Sequence, residues 1–129
     1  MDAATGAIAK LKLHVRNAVA CPSFPGGCPL VNTIIDSDDG NAALKKQARE
    51  ALREWRRFLE RIVEEGQLQN EIRPDLEPHD VAAVLISLLE GAMVLGRFDR
   101  KAGFLEKAER HITCYLDTLT SAIVPARHS

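Results

Sequence analysis

From Pro78 to Arg97 the chain offers apolar side chains to nearly every side of a helix: Val81, Val84, Leu85, Leu88, Leu89, Ala92, Met93, Val94 and Leu95. An all-round apolar helix must be covered on all sides, and this demand constrains the chain more than any other feature. A bilayer is a poor cover for it. The most apolar stretch, Val81–Phe98, holds Glu90 at its middle together with Gly91, Gly96 and Arg97. It is also short against the roughly 20 apolar residues that a span needs. No membrane association is expected, so other helices must supply the cover.

Those helices are legible from their spacing. A first one is predicted over about Ala3–Ala20, with Ile8, Leu11, Val15 and Val19 at three- and four-residue intervals. Pro22, Pro25, Gly26, Gly27 and Pro29 break it. Cys28-Pro29-Leu30 reads as a restart, since proline suits a first helical turn; the short helix there would carry Leu30, Val31, Ile34 and Ile35. Asn41 is the expected N-cap of the longest helix, about Ala42–Gln69. Its stripe runs through Leu44, Ala48, Leu52, Trp55, Phe58, Leu59, Ile62 and Val63, with Arg56–Glu60 and Arg61–Glu65 as charged neighbours opposite. Gly66, late in the stripe, suggests a close crossing or an early end. After the polar connector Asn70–Pro78, Pro78 opens the apolar helix. A last helix, about Gly103–Val124, shows Leu105, Ala108, Ile112, Tyr115, Leu116, Leu119 and Ile123. The fold class is therefore all-α, a bundle of five helices.

The chain has 129 residues, enough for one domain (1–124, with 125–129 as a flexible tail) whose core needs no metal or disulfide. Seventeen Lys and Arg against eighteen Asp and Glu give a net charge of −1, which argues against a surface built for nucleic acid or for anionic lipid. Three cysteines, an odd number, suit a reducing compartment, and the N-terminal MDAATGAIAKLKLHVR lacks an export signal. A cytoplasmic protein is expected.

Little in the sequence speaks for catalysis. His14, His79, His111 and His128 show no paired metal-ligand spacing, and Cys21 and Cys28 have no partner pair downstream. There is no P-loop, dinucleotide fingerprint or nucleophile elbow. No enzyme, metal or cofactor is expected. Two residues invite opposed readings. Cys28, before Pro29, would sit at a helix N-terminus that favours a thiolate and hence a sensor role, or it simply fits a tight Gly-Gly-Cys-Pro turn. Glu90 in the apolar helix is either paired structurally, with Arg73 or Arg97 for example, or stands as a polar anchor in a binding pocket.

The segment FPGGCPL at Phe24–Leu30, the long helix with central Trp55, the Glu65-Gly66 turn region, Glu71-Ile72-Arg73-Pro74-Asp75-Leu76 and the helix bearing Leu89-Glu90-Gly91-Ala92 follow in order over about Phe24–Leu119. This set resembles the C-terminal regulatory domain of the TetR family of bacterial transcription regulators. The resemblance implies a helical bundle that pairs its last two long helices with those of a second subunit, and a small, substantially apolar effector held between the other helices. It implies an effector site drawn from Cys28, Val31, Ile35, Trp55, Phe58, Leu59, Leu85, Leu88 and Glu90, although Trp55, Phe58 and Leu59 also read as plain core. The family's helix-turn-helix head does not fit within residues 1–23, so DNA binding by these residues alone is not expected. A headless module that modulates a partner regulator through mixed dimers is the alternative.

The surplus of apolar surface on the helix beginning at Pro78 points to a homodimer independently. The expected two-fold interface uses Val81, Leu85, Leu89 and Met93 with Leu105, Ile112, Leu116 and Leu119.

Overall fold

The computed structural model describes residues 6–20 and 42–120. Within them lie four α-helices: α1 (Ala7–Ala20), α2 (Ala42–Leu68), α3 (Pro78–Phe98) and α4 (Phe104–Asp117), with a 3-10 turn at Arg100–Ala102. The all-α class is as the periodicity requires. The expected short helix after Cys28, the Asn41 cap and the outermost residues of the first and last predicted helices lie outside the described residues.

The helices pack in a ring: α1 against α2, α2 along α3, α3 along α4, and α4 back onto α1. Each gives its stripe to a common centre. Leu11 and Val15 of α1, Leu59 and Val63 of α2, Leu85 and Leu89 of α3, and Ile112 and Leu116 of α4 are all fully buried there. Burying such a side chain is worth about 1.5–3 kcal/mol, which makes this cluster the main source of stability.

The end of the bundle is built by the segment after α2. The Glu71 N–H donates to the Gly66 carbonyl at 2.8 Å and the Asn70 N–H to the Gln67 carbonyl at 3.1 Å, while Asn70 adopts a φ of 61°. This is the paired closure of a helix end by a left-handed residue, a position that asparagine tolerates. Ile72 then folds back over Gly66: a Cβ there would lie 2.6 Å from Ile72 Cδ1 and 2.7 Å from the Ala7 Cβ. Gly66 therefore serves a close crossing, and α2 continues two residues beyond it.

The last helix stops short of the predicted Val124. At Thr118 the hydroxyl donates to the Tyr115 carbonyl at 2.6 Å, and the chain turns. The Arg73 N–H donates to the Leu119 carbonyl at 2.9 Å, and Ile72 forms an isolated antiparallel bridge with Thr120. A helix continuing through Leu119 would forfeit this pairing and leave the buried Ile72 segment without its backbone partner. The predicted Arg61–Glu65 pair also gives way: Glu65 reaches Lys10 of α1 at 3.5 Å, whereas the Arg56–Glu60 pair forms at 3.2 Å.

Candidate functional site

On α1, His14 lies three residues after the buried Leu11 and one before Val15, at the edge of the inward stripe. That placement turns its imidazole toward α2. The Trp55 Nε1–H donates to His14 Nε2 at 2.9 Å. The ring centroids stand 6.0 Å apart at 55°, and the Phe58 ring stands 5.5 Å from the same imidazole at 50°. Such tilted pairs are favourable aromatic geometry. Accepting from Trp55 fixes the neutral tautomer with the proton on Nδ1. Burial pushes the His14 pKa below its ordinary value, which favours that same uncharged ring.

This cluster brings together two of the residues expected at an effector site, Trp55 and Phe58, around a histidine that metal-spacing arguments alone passed over. The available signal was its position beside Leu11 and Val15, which marks it as inward-facing. Phe58 keeps 48% of its surface exposed, while Leu59, next to it in sequence, is fully buried. Leu59 and Leu85 thus belong to the shared core. Leu88 departs from expectation: it lies on the exposed side of α3, because the turn of the helix that buries Leu85 and Leu89 carries Leu88 outward. Glu90 is half-buried on α3 and has its own interaction partner. Arg73, one of its suggested partners, lies 3.7 Å from Asp75 in an ion pair. Cys28, Val31 and Ile35 lie outside the described residues.

α3 resolves the problem of its all-round apolar surface by dividing it. Val81, Ala82, Leu85, Ile86, Leu89 and Ala92 are buried within the chain. On the far side Val84, Leu88, Leu95 and Phe98 retain between 41% and 85% of their surface exposed. Gly91 falls in the same line, where an added Cβ would meet nothing within 4 Å, while Gly96 faces Leu105 of α4 at 3.5 Å. The spacing 84, 88, 91, 95, 98 alternates four and three, the pattern of a helix–helix seam.

Of the residues expected at the interface, Val81, Leu85, Leu89, Ile112, Leu116 and Leu119 are at most 2% exposed in a single chain, where they fill its own core. Met93 and Leu105 are half-buried. α3 is long and apolar enough to cross a bilayer by length and composition, and a third of its apolar window is buried against neighbouring helices. On α4 the outward side carries Lys107, Arg110 and Cys114. Among the described residues, no three His, Cys, Asp or Glu side chains are grouped to hold a metal ion.

The described residues form an all-helical bundle with a half-buried aromatic cluster on one side and an exposed apolar line on another. Residues 6–112 match the family model described as Tetracyclin repressor-like, C-terminal domain. The chain belongs to this TetR family of transcription regulators, as its C-terminal domain. A TetR transcriptional regulator from Chloroflexus aurantiacus J-10-fl superposes with a TM-score of 0.83 at 30% identity, over 90% of this chain and 60% of that one. A TetR-family transcriptional regulator from Cytophaga hutchinsonii does so with a TM-score of 0.82 at 27% identity, over 92% of this chain and 60% of that one. The chain thus spans about 60% of the length of each solved relative. No curated protein matches it. Regulators of this family are soluble cytoplasmic proteins, typically dimers that bind small-molecule effectors.

Proposed function

We propose that this chain is the effector-sensing and dimerisation domain of a cytoplasmic TetR-family regulator, in which a small, substantially apolar molecule bound among the helices biases a two-fold dimer between two arrangements. Residues 1–124 act as one unit in this reading. The observation that carries it is the outer line of α3: Val84, Leu88, Leu95 and Phe98 remain exposed after the chain has filled its own core, with Gly91 open between them. A self-complementary patch of this kind suits an isologous interface, where each patch meets its own copy. Coupling follows from the ring of contacts, because α2, which carries Trp55 and Phe58, packs directly on α3. A ligand that displaces α2 differently in two states shifts the seam accordingly.

The domain performs no catalysis in this reading and does not grip duplex DNA by itself, in keeping with a net charge of −1. The experiment is a pair of measurements. Sedimentation equilibrium at micromolar concentration is expected to give a dimer. A thermal-shift screen of small apolar compounds is expected to yield saturable stabilisers whose binding alters the dimer dissociation constant. A well-folded monomer removes the dimerisation half, and a screen without a single saturable ligand removes the sensing half.

A further inference from the structure

Resting on the dimerisation reading above, we propose that the two copies of α3 cross at Gly91, so that the two-fold axis of the dimer passes beside this residue and Leu88 and Leu95 of each copy pack against the bare helix surface of the other.

Glycine in a helix interior is less favourable than every residue except proline, so a helical glycine calls for a close approach that a side chain would prevent. Among the described residues, the other two helical glycines meet theirs inside the chain. At Gly66 a Cβ would press on Ile72 and Ala7, and at Gly96 it would touch Leu105 at 3.5 Å. Gly91 is different. It is exposed, and a Cβ there meets nothing within 4 Å. The close approach that it serves comes from outside the single chain.

Its place in the exposed line says what approaches. Val84 and Leu88 precede it by seven and three residues, and Leu95 and Phe98 follow it by four and seven. Large apolar side chains thus flank a bare centre evenly on both sides, and the line carries no charge. A two-fold axis maps the line of closest approach between two copies of a helix onto itself, so the residue at the crossing meets its own copy. Any side chain there would be opposed by an identical one. Glycine alone adds no bulk from either copy, and it brings the helix axes to roughly 8 Å, the short end of the usual range. At that separation Leu88 and Leu95 of each copy reach the helix opposite as knobs beside the crossing. A partner of another kind would place no such demand on the centre of the line, because its own surface could be small there.

Two measurements test the crossing. The first is a distance. Nitroxide labels are attached at Val84→Cys or Phe98→Cys, one per chain, with Cys21, Cys28 and Cys114 replaced by serine. Both positions lie seven residues from Gly91, roughly 10 Å along the helix in opposite directions. For helices crossed at Gly91, the 84-to-84 and 98-to-98 distances between copies are therefore equal, whatever the crossing angle. Pulsed electron paramagnetic resonance is expected to show that equality. The second is an affinity. Leucine is the better helix former and Gly91 is exposed, so the dissociated Gly91→Leu chain should keep its helical content, while its dimer dissociation constant rises at least about tenfold. If Gly91→Leu does not fold, the two label distances in the otherwise unaltered helix decide the matter. A dimer with clearly unequal distances, or a folded Gly91→Leu dimer of undiminished affinity, overturns the crossing and leaves dimerisation standing. Both label pairs beyond about 50 Å in a dimer move the interface off this line, leave it open to another partner, and overturn the proposal. A monomeric parent chain removes the dimerisation reading and the crossing together.

Discussion

Glu71 caps a helix that begins 64 residues earlier in the chain: its Oε1 accepts the Ala7 N–H at 2.7 Å and its Oε2 the Ile8 N–H at 3.2 Å. The first turn of α1 has no acidic residue of its own, so the carboxylate from the segment after α2 supplies the missing acceptor and the favourable charge at the positive end of the helix. Gly6 gives it room, since a Cβ there would lie 2.9 Å from Glu71 Oε2. One side chain thus ties the start of α1 to the end of α2.

Removing this tie is expected to weaken the fold. Glu71→Ala should lower unfolding free energy by about 1–2 kcal/mol, as loss of an N-terminal cap does, and Glu71→Gln by less, because the amide oxygen still accepts one N–H. Urea denaturation of the two variants beside the parent measures both. Equal stability of all three would contradict the capping role.

A glycine pair tests the close crossing. Alanine improves helix propensity by about 1 kcal/mol over glycine, so a helical glycine with open space should gain from the change. Gly91→Ala meets nothing within 4 Å and is expected to raise the stability of the chain by roughly 0.5–1 kcal/mol. At Gly66 the new methyl would overlap Ile72 and the Ala7 Cβ, and overpacking of this kind costs typically about 1–3 kcal/mol. Gly66→Ala should therefore destabilise despite its better propensity. Thermal unfolding of the two variants should show opposite signs.

Acid should loosen the α1–α2 joint. The folded-state pKa of His14 is lowered from 6.5 by burial, so the folded chain binds the proton less well than the unfolded one. Stability on this account is complete above about pH 6.5 and declines as pH falls through the lower folded value. Protonation also turns Nε2 into a donor, which breaks the bond from Trp55. The urea midpoint is expected to drop between roughly pH 7 and pH 5, above the main carboxylate range, and His14→Gln should flatten that dependence. An unchanged slope in His14→Gln would show that other groups carry it.

How far the sequence carried these conclusions depends on the element. α2 and α4 have one polar side, so their stripes fix which residues face inward, and Leu59, Val63, Ile112 and Leu116 are buried as periodicity demands. α3 has no polar side to set its phase. Its pattern requires cover all round without saying which cover comes from the chain itself, so it points equally to Val81, Leu85 and Leu89, which α2 and α4 enclose, and to the exposed Val84 and Leu88. The contacts of Glu71 and His14 are illegible for a different reason. Their partners lie 64 and 41 residues away, and helical spacing says nothing about contacts between helices. Gly66 was the exception, a lone glycine late in a stripe whose nearest crossing partner, Ile72, is local.

The division of α3 yields a prediction that separates dimerisation from folding. Leu88 is exposed in the single chain and belongs to the line Val84, Leu88, Gly91, Leu95, Phe98. Leu88→Glu places a charge in water when the chain is alone, so the monomer should fold with its helical content and urea stability nearly intact. In the proposed dimer the same carboxylate is buried in an apolar seam without a counter-ion, and an unpaired buried charge costs several kcal/mol. The dimer dissociation constant should rise by at least about a hundredfold, since about 1.4 kcal/mol is a factor of ten. Leu116→Glu is the control: Leu116 is fully buried in the chain's own core, so its replacement should unfold the protein at any concentration. Sedimentation equilibrium combined with circular dichroism distinguishes the outcomes. A folded Leu88→Glu dimer of undiminished affinity would place the interface elsewhere, and a folded Leu116→Glu monomer would restore α4's inner stripe as the surface that meets the partner.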